Sequence, residues 1–145
     1  MYLCDVNIYI NAHREENVGY EFYHRWLTEQ LSGSETFLYC DWILSAFIRI
    51  VTHPKIYKTP TPLERAIAFA DTIRSQPNTL GIMPGAGHWQ VFERLCLESR
   101  ATGNLVPDAN LAALAIESGA VWVSADSNFK KFEPVLTWQW LRPAL

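Results

Sequence analysis

Short apolar runs alternate along this chain with segments whose apolar residues recur every three or four positions, the pattern of strands alternating with amphipathic helices. The runs Tyr2–Cys4, Phe37–Cys40, Leu80–Met83 and Val121–Ser124 read as strands. The last is the clearest, β-branched and aromatic, brief, and preceded by Gly119, which suits a buried parallel position. An alternating tail, Val135–Leu141, predicts an edge strand. The segment Val6–Ile10 fits either a continued first strand or the start of a helix.

Between the runs, Phe22, Tyr23, Trp26, Leu27 and Leu31 form one helical stripe, with Gly33 at its end. Asp41 stands where it caps a helix bearing Ile43, Phe47, Ile50 and Val51, and Pro54 closes that segment. Thr61-Pro62-Leu63-Glu64 has the spacing of a capping box and predicts a helix with Leu63, Ile67, Ala70 and Ile73 on its buried face, stopped by Pro77. Trp89, Phe92, Leu95 and Cys96 predict a further helix ending near Gly103, and another runs from about Asp108 to Ser118 with Gly119 as its stop. The alternation predicts an α/β fold with a mostly parallel sheet. Pro84-Gly-Ala-Gly87 is a loop without the spacing of a phosphate cradle.

Composition changes this picture little. At 145 residues with 49% hydrophobic and 19% charged positions, the chain is expected to form a single domain over residues 1–145. No apolar run approaches the roughly 20 residues of a spanning helix, and the first residues lack a basic lead and a cleavage site, so a cytoplasmic protein is expected. Cys4, Cys40 and Cys96 are unclustered and read as reduced core residues. A net charge of −3 excludes a broad basic footprint for nucleic acid, so any such contact is local. Arg49, His53, Lys55 and Lys58 form one basic stretch, and Lys130 with Lys131 another. Both also suit a solvated surface.

Candidate chemistry comes from three aspartates. Asp5 follows the first run, Asp126 follows Val121–Ala125, and Asp108 opens a helical segment. In a parallel sheet with right-handed crossovers the strand C-termini open on one side, where ligands bind. Asp108 joins Asp5 and Asp126 there only if the N-terminus of its helix points to that edge. Converging carboxylates repel one another unless a hard cation such as Mg²⁺ or Mn²⁺ neutralises them. Asn7, Ser124 and Asn128 lie beside the acids and are placed to hold water or orient carboxylates. Plainer roles compete: Asp108 as a helix cap, Asp126 as a turn residue. Asp5 is harder to dismiss, because a carboxylate directly after an apolar strand needs a partner.

Four segments in order carry a resemblance: Cys4-Asp-Val-Asn-Ile8, Leu44-Ser-Ala-Phe-Ile-Arg-Ile-Val-Thr-His-Pro54, Asn104-Leu-Val-Pro-Asp-Ala-Asn-Leu-Ala-Ala-Leu-Ala115, and Val123-Ser-Ala-Asp-Ser-Asn-Phe129 followed by Phe132. With these the chain resembles PIN-domain ribonucleases, specifically VapC-type toxins of toxin–antitoxin pairs. The resemblance implies a three-layer sandwich with four to five central strands and an acid quartet, of which Asp5, Asp108 and Asp126 fill the first, third and fourth places. It also implies Mg²⁺- or Mn²⁺-dependent endoribonuclease activity, an RNA substrate held by a residue such as Arg49 or Lys55, and a VapB-type antitoxin partner. The second acid is missing: the family's glutamate falls on Ala46. Asn128 and Asn110 are milder departures, where Asp and His are common. Ala46 is either an engineered replacement that silences a harmful enzyme or a natural loss, and the intact motif around it favours the former. It implies reduced or abolished activity.

Two other readings compete. The chain is then a binding module whose acidic pocket accepts an arginine from an antitoxin, or a phosphatase-like domain of the same architecture, for which Asp5-Val-Asn7 lacks a paired acid. Six tryptophans, two of them on the tail, suggest surplus apolar surface and a homodimer.

Overall fold

The computed structural model of the chain describes residues 1–144. In chain order it contains β1 (Tyr2–Cys4), α1 (Val6–His13), α2 (Tyr20–Ser32), β2 (Phe37–Tyr39), α3 (Asp41–Val51), α4 (Leu63–Arg74), β3 (Thr79–Gly81), α5 (His88–Ser99), α6 (Leu105–Ser118), β4 (Val121–Ser124), a 3₁₀ helix (Ser127–Phe132) and β5 (Trp138–Trp140). The strands form one sheet in the order β3-β2-β1-β4-β5, and every pairing is parallel. The expected α/β three-layer arrangement is therefore present, with an all-parallel sheet of five strands.

Parallel strands need a crossover that returns the chain to the starting edge. Here each of the first three crossovers is a pair of helices. Right-handed connections place α1 to α4 on one face and, because the chain reverses direction across the sheet after β3, α5 and α6 on the other. The central strands are covered on both sides: Leu3, Cys4, Trp122 and Val123 are fully buried, and Leu38 is nearly so. Ile8 and Tyr9 from α1, Phe47 and Val51 from α3, and Ala109, Ala112, Ala113 and Ala115 from α6 complete the core. The run of alanines lets α6 lie close against β4. The outermost strand β3 is half-buried to exposed, as an edge strand is.

Several local expectations change. Val6–His13 is helical because the Asp5 side chain accepts from the Val6 N–H and caps it. The capping box at Thr61 does not form: Pro62 stands at the N-cap position with no side-chain bond. Thr61 Oγ1 instead accepts from the Arg14 guanidinium at 3.1 Å and pairs with His13 Nε2 at 3.0 Å, so a tertiary partner has claimed the hydroxyl. The buried face of α4 is Ala66, Ala70 and Ile73, whereas Leu63 and Ile67 are 52% and 42% exposed. Asp41 is the first residue of α3 rather than its cap and pairs with Arg74 at 3.0 Å. β3 begins at Thr79, and β5 occupies only Trp138–Trp140 of the alternating tail. Cys4, Cys40 and Cys96 are free thiols. Among the described residues no helix is long and apolar enough to cross a membrane.

Candidate active site

The strand order places the site. β1 leads to β2 on one side, while β4 sits on its other side, so the crossovers diverge between β1 and β4. A crevice opens at the carboxyl ends of strands at such a switch point. Asp5 follows β1 directly and Asp126 lies two residues beyond β4, so the two acids stand at that switch point.

α6 brings the third acid to the same level. Its C-terminus is fixed by Gly119, left-handed at φ +71°, with β4 starting two residues later at the opposite sheet edge. The helix therefore points its N-terminus toward the carboxyl edge. Asp108 lies eleven residues ahead of Gly119 in α6, about 16 Å of helix. Asp126 lies five residues beyond Val121, about the same length of extended chain. Asp108 is in the first turn of α6, which starts at Leu105, and its side chain caps nothing. The capping roles fall instead on Asp5 and Asp126, which accept from Val6 and Asn128 N–H groups.

Asp5 is the most tightly held. It is 7% exposed, and its Oδ1 accepts from the Val6 N–H at 2.7 Å. Its Oδ2 accepts from the Ser124 hydroxyl at 2.7 Å and from the Asn7 amide at 3.3 Å. Ser124, fully buried, also receives the Asp126 N–H at 3.0 Å, and Asn7 Oδ1 receives the Ala125 N–H at 3.0 Å. Ser124 and Asn7 thus lace the end of β1 to the end of β4. Asn128 holds Asp126 through its backbone N–H at 2.9 Å to Oδ1 and its side-chain amide at 3.3 Å to Oδ2.

Electrostatics record the convergence. Burial pushes the Asp5 carboxyl up to about 6; its hydrogen bonds from Ser124 and Val6 oppose this, and the charges of Asp108 and Asp126 add to it. Asp108 is also raised, by burial and then by Asp126, with Lys131 acting the other way. None of the three acids takes part in an ion pair among the described residues.

The donor set is all oxygen, anionic and without a basic partner, which fits a hard divalent cation. Among the described residues, however, no three acidic, histidine or cysteine side chains stand close enough to share one ion. Ala46, half-buried in α3, adds only a methyl group where a fourth carboxylate is expected. Arg49 and Lys55 are exposed in the last turn of α3 and just past it, a helix length from the end of β2.

A separate cleft of about 710 Å³ opens at the far end of α1 from Asp5, against the segment leading into α4. One cation of its wall, Arg14, is engaged internally. Arg14 stacks 4.0 Å from the Tyr57 ring, donates to the Thr59 carbonyl at 2.9 Å and to Thr61, and pairs with Glu16. The loop Pro84–Gly87 also has its amides taken, since Gly85 and Gly87 N–H groups donate to Glu117 at 2.7 and 3.0 Å. It holds a protein carboxylate, in line with the expectation that it is no phosphate cradle. Sequence reasoning missed Glu117, which carries no local motif and meets the loop only through the fold.

Residues 2–133 match the PIN domain family. Ribonuclease VapC25 of Mycobacterium tuberculosis is 33% identical over 135 residues, covering 93% of this chain and 95% of that protein. Ribonuclease VapC31 of the same species is 32% identical over the full length of both chains, and Ribonuclease VapC43 is 34% identical over 142 residues, 97% of this chain and 95% of that protein. Among solved structures, the VapBC2 complex from Rickettsia felis bound to a promoter DNA fragment contains a chain of the same fold, with a TM-score of 0.70 at 20% identity, covering 95% and 96% of the two chains. With the acid edge on the sheet and these relatives matched end to end, the chain belongs to the PIN-domain family and, within it, to the VapC ribonucleases.

Proposed function

We propose that this chain is a VapC-type endoribonuclease toxin that cuts RNA at the carboxyl edge between β1 and β4, with a VapB-type antitoxin as its partner in the cytoplasm. The observation that carries the reading is the buried Asp5, tied to β4 through Ser124 and pushed up by burial, with two further acids from separate elements adding to the rise. Such an arrangement costs stability unless something neutralises it, which is the mark of a site built for a ligand.

Asp5, Asp108 and Asp126 are the residues that would hold Mg²⁺ or Mn²⁺. When bound, the ion supplies a polarised water and offsets charge developing on the phosphodiester. The chain's own residues do the rest. Ser124, Asn7 and the Val6 N–H fix the Asp5 carboxylate, Asn128 fixes Asp126, and the core alanines of α6 set the depth of Asp108. With a methyl at position 46 in place of the second acid of the quartet, activity is expected to be low.

The test is Ala46→Glu. Restoring the acid is expected to raise Mg²⁺-dependent cleavage of total RNA by roughly two to four powers of ten, the scale of a recovered general base or water-positioning group. Sequencing the new ends identifies the cut site. No gain in cleavage and no tighter Mg²⁺ binding would overturn the reading.

A second function is favoured by the acid edge itself. Three carboxylates that make no ion pair among the described residues suit an arginine from an antitoxin, which makes bidentate bonds to carboxylates. Inhibition of the Ala46→Glu form by such a partner, competitive with Mg²⁺, is the expected result.

A further inference from the structure

The 3₁₀ helix after Asp126 presents its side chains in three eclipsed rows, because three residues complete each turn. Phe129 and Phe132 form one row and are 1% and 2% exposed. Phe129 packs against Trp122 of β4 with ring centroids 5.3 Å apart, and the two phenylalanines lie 6.1 Å from each other. This row anchors the helix in the core and fixes the direction of the other two. Ser127 and Lys130 form the second row, Asn128 and Lys131 the third.

Asn128 reports where the third row faces. Its backbone and side-chain N–H groups both donate to the Asp126 carboxylate. Lys131 therefore stands one turn along on the row that begins at the acid edge, while Lys130 is turned about a third of a revolution away. The ion pairs among the described residues are Arg14–Glu16, Arg74–Asp41 and Arg94–Glu98, so the Lys131 ammonium is not consumed by a protein carboxylate.

Resting on the ribonuclease reading above, we propose that Lys131 is a substrate-positioning residue that holds an RNA phosphate beside the acid edge, and that Lys130 does not share this role. The physical need is plain. A chain of net charge −3 has no broad attraction for a polyanion, and three carboxylates repel the strand at the place where it must lie. One cation on a rigid element at that edge supplies local attraction and register, which is what phosphate contacts contribute to nucleic-acid binding. The row geometry assigns this contact to Lys131 ahead of Arg49 and Lys55, which lie at the far end of α3.

The experiment is fluorescence anisotropy of a labelled single-stranded RNA with Mg²⁺ present, using the full chain with Ala46 and checking RNA integrity on a gel. Lys131→Gln is expected to weaken binding about fivefold at low salt and to reduce the slope of log affinity against log salt by about 0.7, the value of one phosphate contact on a single strand. Lys131→Arg is expected to restore most of the affinity, and Lys130→Gln to leave both readouts within twofold. In the Ala46→Glu background, Lys131→Gln is expected to raise KM with little change in kcat. Equal losses for the two lysine variants, or no loss at Lys131, would overturn the assignment while leaving the ribonuclease reading intact. Failure of the unsubstituted chain to bind RNA, in either background, would overturn that reading and the assignment with it.

Discussion

Asp5 joins three demands in one side chain: it caps α1, ties β1 to β4 through Ser124, and stands in the field of two other acids. Its carboxyl titrates at about 6 in the folded chain, against about 3.9 when unfolded. Since folding favours the protonated form, the stability Asp5 contributes is full below about pH 4 and lost as pH rises through 6. Two pH units correspond to about 3 kcal/mol at most. The metal-free protein is expected to melt at a lower temperature near pH 7 than near pH 5, and Asp5→Asn to flatten that difference. Mg²⁺ is expected to raise the melting temperature at about pH 7.5 and not at about pH 4.5, where the carboxyl is protonated. A Mg²⁺ response of equal size at both values would argue against cation binding by these acids. Ser124→Ala removes the donor to Asp5 and the acceptor of the Asp126 N–H, costing about 2 kcal/mol in urea unfolding. It also pushes the Asp5 carboxyl further up, so the pH dependence of melting grows.

Elements were legible where a residue's role is local. The stripe of α2, the stop at Gly119 and the β4 run lie as their spacing predicts, because period and turn chemistry are properties of neighbouring residues. Thr61 was not legible, since its hydroxyl serves Arg14 and His13, which are far off in sequence. On α4, Ala70 and Ile73 are buried as their spacing predicts, but Leu63 and Ile67 are not, for a related reason. Small alanines mark the side that packs closely, and the larger Leu63 and Ile67 are left outside. Gly119→Ala places a Cβ on a residue at φ +71° with no neighbour within 4 Å, so the cost is backbone strain alone, about 1 kcal/mol in unfolding free energy. Glu117→Ala frees the Gly85 and Gly87 amides, and their hydrogen-exchange protection is expected to fall while the protection of β1 and β4 stays unchanged.

At the scale of the molecule, the arrangement of the acids is a consequence of topology. Helix-paired crossovers return the chain to one edge, so each acid that follows a strand or opens a returning helix reaches the other edge. The sequence by itself determined the α/β alternation, the absence of a broad basic charge, and which residue types stand at positions 5, 46, 108 and 126, because these depend on residue type and short-range order. Only the tertiary structure decided that β4 lies beside β1, that α6 points Asp108 to their carboxyl ends, and that Asn128 and Lys131 share a row on that edge. Strand order and helix direction arise from packing between segments more than a hundred residues apart in the chain, as the Asp5–Ser124 bond shows, and no local spacing encodes them.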